Sequence, residues 1–244
     1  MKNFIKEWVS APIVIGLSIL IAAIIFSVAF YYSRTTSDYI SVTGSASKEV
    51  ISDKAKFSGN ISRIVKLYNL KTGYAAIASD LQIVNNFLAE QKIDPSTVTI
   101  STVSMEQNYD YNNNQPATEK DYNLRQNIEV VSGDIEKIAS LAKSTQTLID
   151  KGVIFSVFPV QYYYNNLPQV RVDLLADAVK DAQARAKKLV ESTGKTLGTL
   201  KSAASGVVQV LPSNSLEISD YGTYDTSSVN KNIMVTVKAS FGLK

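Results

Sequence analysis

The chain contains neither cysteine nor histidine. Without cysteine there is no disulfide, no thiolate nucleophile and no cysteine metal site, and without histidine the commonest general base and the commonest zinc ligand are missing. Catalysis, if there were any, would have to run on serine–lysine, carboxylate or tyrosine chemistry. A basic block is lacking as well: 25 Lys and Arg are scattered among 22 Asp and Glu for a formal net charge of +3, which leaves no electrostatic footprint for nucleic acid. What the chain has in quantity is apolar residues, 45% of 244, enough for the core of one ordinary domain or two small ones.

Much of that apolar content comes early. Residues 13 to 32 read "IVIGLSILIAAIIFSVAFYY", from Ile13 through Leu20 and Phe26 to Tyr31 and Tyr32, without a charge. As a helix the run is about 30 Å long, the thickness of a bilayer core. Trp8 before it and Tyr31 and Tyr32 at its end are amphipathic rings suited to the membrane interface. Lys2 and Lys6 precede it against Glu7, and Arg34 follows, a bias that favours a cytoplasmic N-terminus. The expected order is a tail (1–12), a single-pass anchor in the lipid bilayer (13–32), a polar linker (33–38) and a domain outside the cytoplasm (39–244). "SVA" at Ser27 to Ala29 offers a competing reading, a cleaved signal peptide, although the run exceeds the ~7–15 residues of a signal core. Both readings export the domain.

Three short motifs invite an enzymatic reading. "GSASK" places Ser45 three residues before Lys48, "SGN" follows at Ser58 to Asn60 and "KTG" at Lys71 to Gly73, the order found in serine–lysine acylating enzymes. Context argues against it. The flanking residues alternate as a half-buried strand does, with Ala55, Phe57, Gly59 and Ile61 on one face, so Ser45 falls in or beside the connection of a strand pair. The acylating serine must instead open a buried helix. The "KTG" lies inside a helical pattern, Leu67, Leu70, Tyr74, Ile77, Leu81, Val84 and Leu88, which Pro95 brings to a stop. "GKT" at Gly194 to Thr196 fails as a phosphate loop for a related reason: it closes a helix, and closing carbonyls repel phosphate.

Beyond these, "STVTISTVSMEQNYDY" and "YNLRQNIEVV" read as strands. A helix capped by Ser132 or Asp134 follows, then a strand at "GVIFSVFPVQYYY". A long helix carries Val172, Leu175, Val179, Ala182, Ala186 and Leu189 at three-four spacing, with Asp181 and Arg185 paired on a solvated face. "TLKSAASGVVQVLP" and "NIMVTVKASFGL" close the chain as strands, the last presenting Ile233, Val235, Val237, Ala239 and Phe241 on one face. The irregular alternation predicts an α+β fold, helices packed on one side of a mixed or antiparallel sheet.

Taken in order, "ISVTGSASKEVISDKAKFSGNIS", "FLAEQKIDPSTVTISTVSMEQNYDY", "LLADAVKDAQARAKKLVESTGKTLGTL" and "IMVTVKASFGL" resemble the SIMPL-domain family of bacterial envelope proteins, which includes periplasmic immunogenic and oxidative-stress members. The resemblance covers nearly all of residues 39 to 244. It implies an exported α+β domain of the bacterial inner membrane or periplasm, no catalytic residue set, a role in envelope or oxidative stress tolerance, and self-assembly into a homo-oligomer such as a ring, cage or channel.

Two functional classes thus stand ahead of an enzyme. One is a membrane-anchored, non-enzymatic protein whose partner is itself. The other is a binding module whose contact surface is the Tyr/Asn-rich segments, with Tyr109, Tyr111, Tyr162, Tyr163, Tyr164, Tyr221 and Tyr224 supplying amphipathic area at few rotors. No catalytic residue, metal or cofactor is expected. Asp220 and Asp225 in "DYGTYD" form a nearby carboxylate pair, read as a solvated loop since it lacks the dense oxygen set of a calcium site.

Overall fold

In the computed structural model, which describes residues 2–35, 38–108, 120–215 and 219–244, the apolar run lies within one helix, α1 (Lys2–Thr35). Every residue from 13 to 33 is exposed. The Ser18 hydroxyl donates to the carbonyl oxygen of Val14 at 2.8 Å, so it carries no unspent donor into an apolar surround. Among the described residues one helix, over Ile13–Ser33, is long and apolar enough to cross a membrane, as an anchor or as a signal sequence.

Among the described residues, the rest of the α+β chain is built on two sheets rather than one. It divides into two compact units, residues 1–45 with 176–206 and 236–244, and residues 46–175 with 207–235.

In the second unit, β2 (Lys54–Lys66) runs antiparallel to β5 (Asp121–Ser132), from Ala55 opposite Ser132 to Lys66 opposite Asp121. The sheet order is β3 (Val98–Ile100), β5, β2, β6 (Phe155–Val157), with β4 (Ser104–Gln107) also on β5 and β7 (Gln161–Tyr163) also on β2. The two-residue period sends Ala55, Phe57 and Ile61 to the same face as Leu124, Ile128 and Val130, all buried. Two helices cover that face: α2 (Leu70–Glu90) brings Ile77, Val84, Phe87 and Leu88, and α3 (Ile135–Lys143) brings Ile138 and Leu141. The short α4 (Gln146–Asp150) adds Leu148.

Gly73 sits mid-helix because α2 lies close on the sheet there: a Cβ would come within 2.7 Å of Val65 Cγ1 and 2.9 Å of Leu124 Cδ1. Arg63 on β2 grips Asp80 on α2 through two hydrogen bonds of 2.6 and 2.7 Å, fixing helix to strand. Of the two candidate caps for α3, Asp134 takes the role, accepting from the Lys137 amide at 3.0 Å, while the Ser132 hydroxyl accepts from the Asp134 amide.

The other sheet has the order β1 (Tyr39–Ile51), β10 (Asn230–Leu243), β8 (Leu197–Pro212), β9 (Thr223–Tyr224), and each of its first three strands has residues in both units. Helix α5 (Leu167–Glu191) buries Ala178, Ala182 and Ala186. A Cβ on Gly44 of β1 would stand 2.2 Å from the Ala178 carbonyl oxygen and 2.4 Å from the Ala182 amide nitrogen, so strand and helix backbones nearly touch. Gly194 adopts the left-handed conformation, φ 75°, that ends the helix ahead of "KT".

Ser45 corrects one expectation. It lies in the middle of β1, away from the connection, which is Ser52 and Asp53. Its backbone amide donates to Asp181 Oδ2 at 2.8 Å, and the same oxygen accepts from Arg185 Nε at 2.8 Å. The Ser45 amide first, then Arg185, holds the Asp181 carboxyl below the usual range. Asp181 is thus a strand-to-helix tie as well as half of an i,i+4 pair.

Candidate functional site

Two features rise from these elements, a buried charge among tyrosines in the second unit and an uncovered strand edge. The alternation of β10 positions the first. Lys231 shares the odd-numbered face of Ile233, Val235, Val237, Ala239 and Phe241, and like them it is buried, with 0% of its surface exposed. An ammonium taken out of water needs partners. The 224–230 segment supplies them: Lys231 Nζ donates to the Asp225 carbonyl oxygen at 2.6 Å and lies 3.3 Å from Asp225 Oδ2. It also stands 5.9 Å from the centre of the Tyr224 ring.

Asp225 is in turn gripped from the other side. Its Oδ1 accepts from the Ser227 amide at 2.9 Å and the Ser227 hydroxyl at 2.6 Å, and its Oδ2 accepts from the amide and hydroxyl of Ser228. Burial pushes the Asp225 carboxyl up, but the hydrogen bonds from Ser227 and Ser228 outweigh it and hold the group well below the ordinary carboxylate range. Burial pulls the Lys231 ammonium down, against the opposing pull of Asp225. The solvated loop expected for Asp225 is therefore a buried ion pair, while Asp220 is exposed.

Three of the candidate tyrosines gather here. The rings of Tyr163 and Tyr224 lie 6.2 Å apart, and the Tyr224 hydroxyl accepts from the Tyr164 amide at 3.1 Å. Tyr162 turns its side chain to the core of the second unit, and its amide donates to the Thr226 carbonyl oxygen at 2.8 Å. Tyr221, 96% exposed, stands apart from them. Tyr109 and Tyr111 lie outside the described residues. The sequence signal that would have found Lys231 is parity: it occupies the apolar face of its own strand.

The second feature is β8. From Thr199 to Val207 every residue is exposed. β10 occupies one side of the strand, and β9 pairs with it, in parallel, at Gln209 and Val210. Among the described residues no strand pairs with the other side before that point. The amides and carbonyls along such an edge are a template for a further strand.

Neither feature assembles a nucleophile with a base, and among the described residues no three metal-ligating Asp or Glu side chains converge. The chain matches no curated protein. The family pattern of SIMPL, described as a protein of unknown function (DUF541), matches residues 40–241. That span holds nearly all of both sheets and leaves out the membrane-length helix, the residues beside it and the last three residues, and the chain belongs to the SIMPL family.

Proposed function

We propose that this chain is a membrane-anchored, non-enzymatic protein of the bacterial envelope, and that its exported domain, residues 39–244, pairs with a second copy of itself along the uncovered edge of β8. The observation that carries the reading is the run of exposed residues from Thr199 to Val207. Protein edges of that length are ordinarily blunted by charges, proline, bulges or a covering loop; this one has a single charge, Lys201. An antiparallel pair centred on Ala203 sets Lys201 opposite Ser205, Ser202 opposite Ala204 and Thr199 opposite Val207, so no like charges meet. Helix 13–32, held in the cytoplasmic membrane with its N-terminus inside, concentrates the edges in one plane and favours pairing without new contacts. One two-fold pairing makes a dimer, and the ring, cage or channel implied by the family needs a second, head-to-tail contact. Tolerance of envelope or oxidative stress is the physiological role such an assembly would serve.

The non-enzymatic part rests on how the reactive groups are used: Ser45 lies mid-strand, Lys231 is buried against Asp225, and Asp181 ties β1 to α5.

The test is the mass of the full-length protein in mild detergent by light scattering. Wild type is expected as a discrete oligomer, and A203K and A203E, which place like charges at the two-fold centre, as smaller species. Mixing the two variants is expected to restore the larger one. A monomeric wild type, or an oligomer indifferent to both substitutions, would reject edge pairing.

A further inference from the structure

The second unit carries a groove of about 640 Å³, within the size range of small-ligand sites. Its floor follows from strand register. Ser58 and Asn60 alternate with Phe57, Gly59 and Ile61 on β2, so they point away from α2 and α3, and their partners on β5 are Glu129 and Asn127. Arg125, two residues along, shares that face, and opposite it on β4 stands Ser104, two residues from Glu106. All seven line the groove.

The wall follows from a proline. β6 and β7 are two pieces of one strand position along β2: Val157 pairs with Gly59 and Gln161 with Lys56. Four residue steps on one side thus face three on the other. Pro159 has no amide to give the ladder, and around it Phe158, Pro159 and Val160 arch out as a bulge, anchored where the Phe158 amide donates to the Ser58 carbonyl oxygen at 2.9 Å. Thr226 and Ser227 line the groove together with apolar Phe158, 48% exposed. The first two are held by hydrogen bonds: Asp225 accepts from the Ser227 amide and hydroxyl, and the Tyr162 amide donates to the Thr226 carbonyl oxygen.

The charges in the groove cancel locally. Glu129 is paired with Lys56 at 3.4 Å, and Arg125 and Glu106, of opposite charge, both line the groove. An anion would meet two carboxylates, and a cation would meet the guanidinium. What remains is a floor of flat amide, carboxylate and guanidinium groups and hydroxyls, able both to donate and to accept, beside one open aromatic ring. The Nε of Arg125 and the Oδ1 of Asn123, two residues before it on β5, have no hydrogen-bond partner among the described residues. The backbones of β2 and β5 in the floor are paired on both sides, which leaves an extended peptide nothing to zip onto there.

We infer that this groove binds an uncharged oligosaccharide, with hydroxyls on the Asn60–Asn127–Arg125 floor and one sugar ring lying its C–H face on Phe158. The inference stands whether or not the edge of β8 pairs.

The experiment titrates full-length protein, in a detergent without a sugar headgroup, with cellotetraose, chitotetraose, maltotetraose and, as a peptide control, tetraglycine, read by saturation-transfer NMR and calorimetry. At least one tetrasaccharide is expected to bind with Kd of about 1 mM or tighter. F158A and N127A are each expected to weaken it roughly tenfold, about 1.4 kcal/mol, with an unchanged melting temperature because both side chains are exposed. No saccharide binding at about 10 mM, binding of tetraglycine alone, or saccharide binding that survives both substitutions would each overturn the inference.

Discussion

At the scale of single residues, the Lys231 ammonium is buried against the Asp225 carboxylate at 3.3 Å. With Lys231 fully buried, D225N leaves a buried ammonium without its counter-charge, an effect on the order of 3 kcal/mol. K231M in the D225N background is expected to recover most of that loss, since it removes the stranded charge and keeps an apolar stem of similar length. Denaturant unfolding of the two single variants and the double variant measures both. Acid reads the same pair. The Asp225 carboxyl in the folded chain lies well below its unfolded value of about 3.9, so the folded state binds fewer protons there. Its contribution is full above about pH 4 and fades as pH falls toward the folded value. The stability gap between wild type and D225N is therefore expected to narrow below about pH 4. This pair was half legible in the sequence. Parity puts Lys231 on the face of Ile233, but a lysine in a strand is ordinarily read as facing water. Only the return of the 224–230 turn over the strand end brings Asp225 to it.

At the scale of elements, two glycines separate a contact that must be kept from one that can give. At Gly44 an added Cβ meets backbone, the Ala178 carbonyl at 2.2 Å and the Ala182 amide at 2.4 Å. Neither can move without lifting α5 from β1, so G44A is expected to cost about 2–3 kcal/mol. At Gly73 the obstructing atoms are methyl groups of Val65 and Leu124, which can rotate, and alanine gains about 1 kcal/mol of helix propensity. G73A is expected to fall within about 1 kcal/mol of wild type. Thermal melting of the two variants compares them directly. The helices were legible because apolar residues recur at three and four, but on α5 the buried stripe is Val170, Leu174, Ala178, Ala182, Ala186 and Val190, while Val172 and Leu189 of the expected stripe are exposed. Two apolar sets offset by one or two positions both fit the period, and only the packing selects between them. The division of the strands into two sheets was not legible, since strand periodicity reports which face is buried and says nothing about which strand lies alongside. The Pro159 bulge sits between the two. The sequence shows that Pro159 cannot pair, while the one-residue excess that raises the groove wall appears only in the register.

For the whole molecule, anchoring and pairing can be tested together because the chain has no cysteine of its own, so a single introduced thiol has no native thiol to compete with it. In an antiparallel pair centred on Ala203, residue 203 lies opposite its own copy with Cβ atoms about 5 Å apart, within disulfide reach. Residue 201 lies about 13 Å from its copy, out of reach, but opposite residue 205. A203C is therefore expected to cross-link in isolated membranes on mild oxidation and K201C is not, while the K201C/S205C double variant cross-links again. A different register would shift the cross-link to another position, and chains that do not meet along β8 would give none at any of them. The same variants report the compartment. Thiols in the cytoplasm are kept reduced and those beyond the membrane are not, so A203C formed in growing cells, without added oxidant, is expected as a dimer on a non-reducing gel if the domain lies outside. The intact mass of that dimer then distinguishes anchor from signal. Chains that keep residues 1–29 remain with the membrane under alkaline extraction, whereas chains cut after Ala29 are released and lose the planar tether that favours pairing.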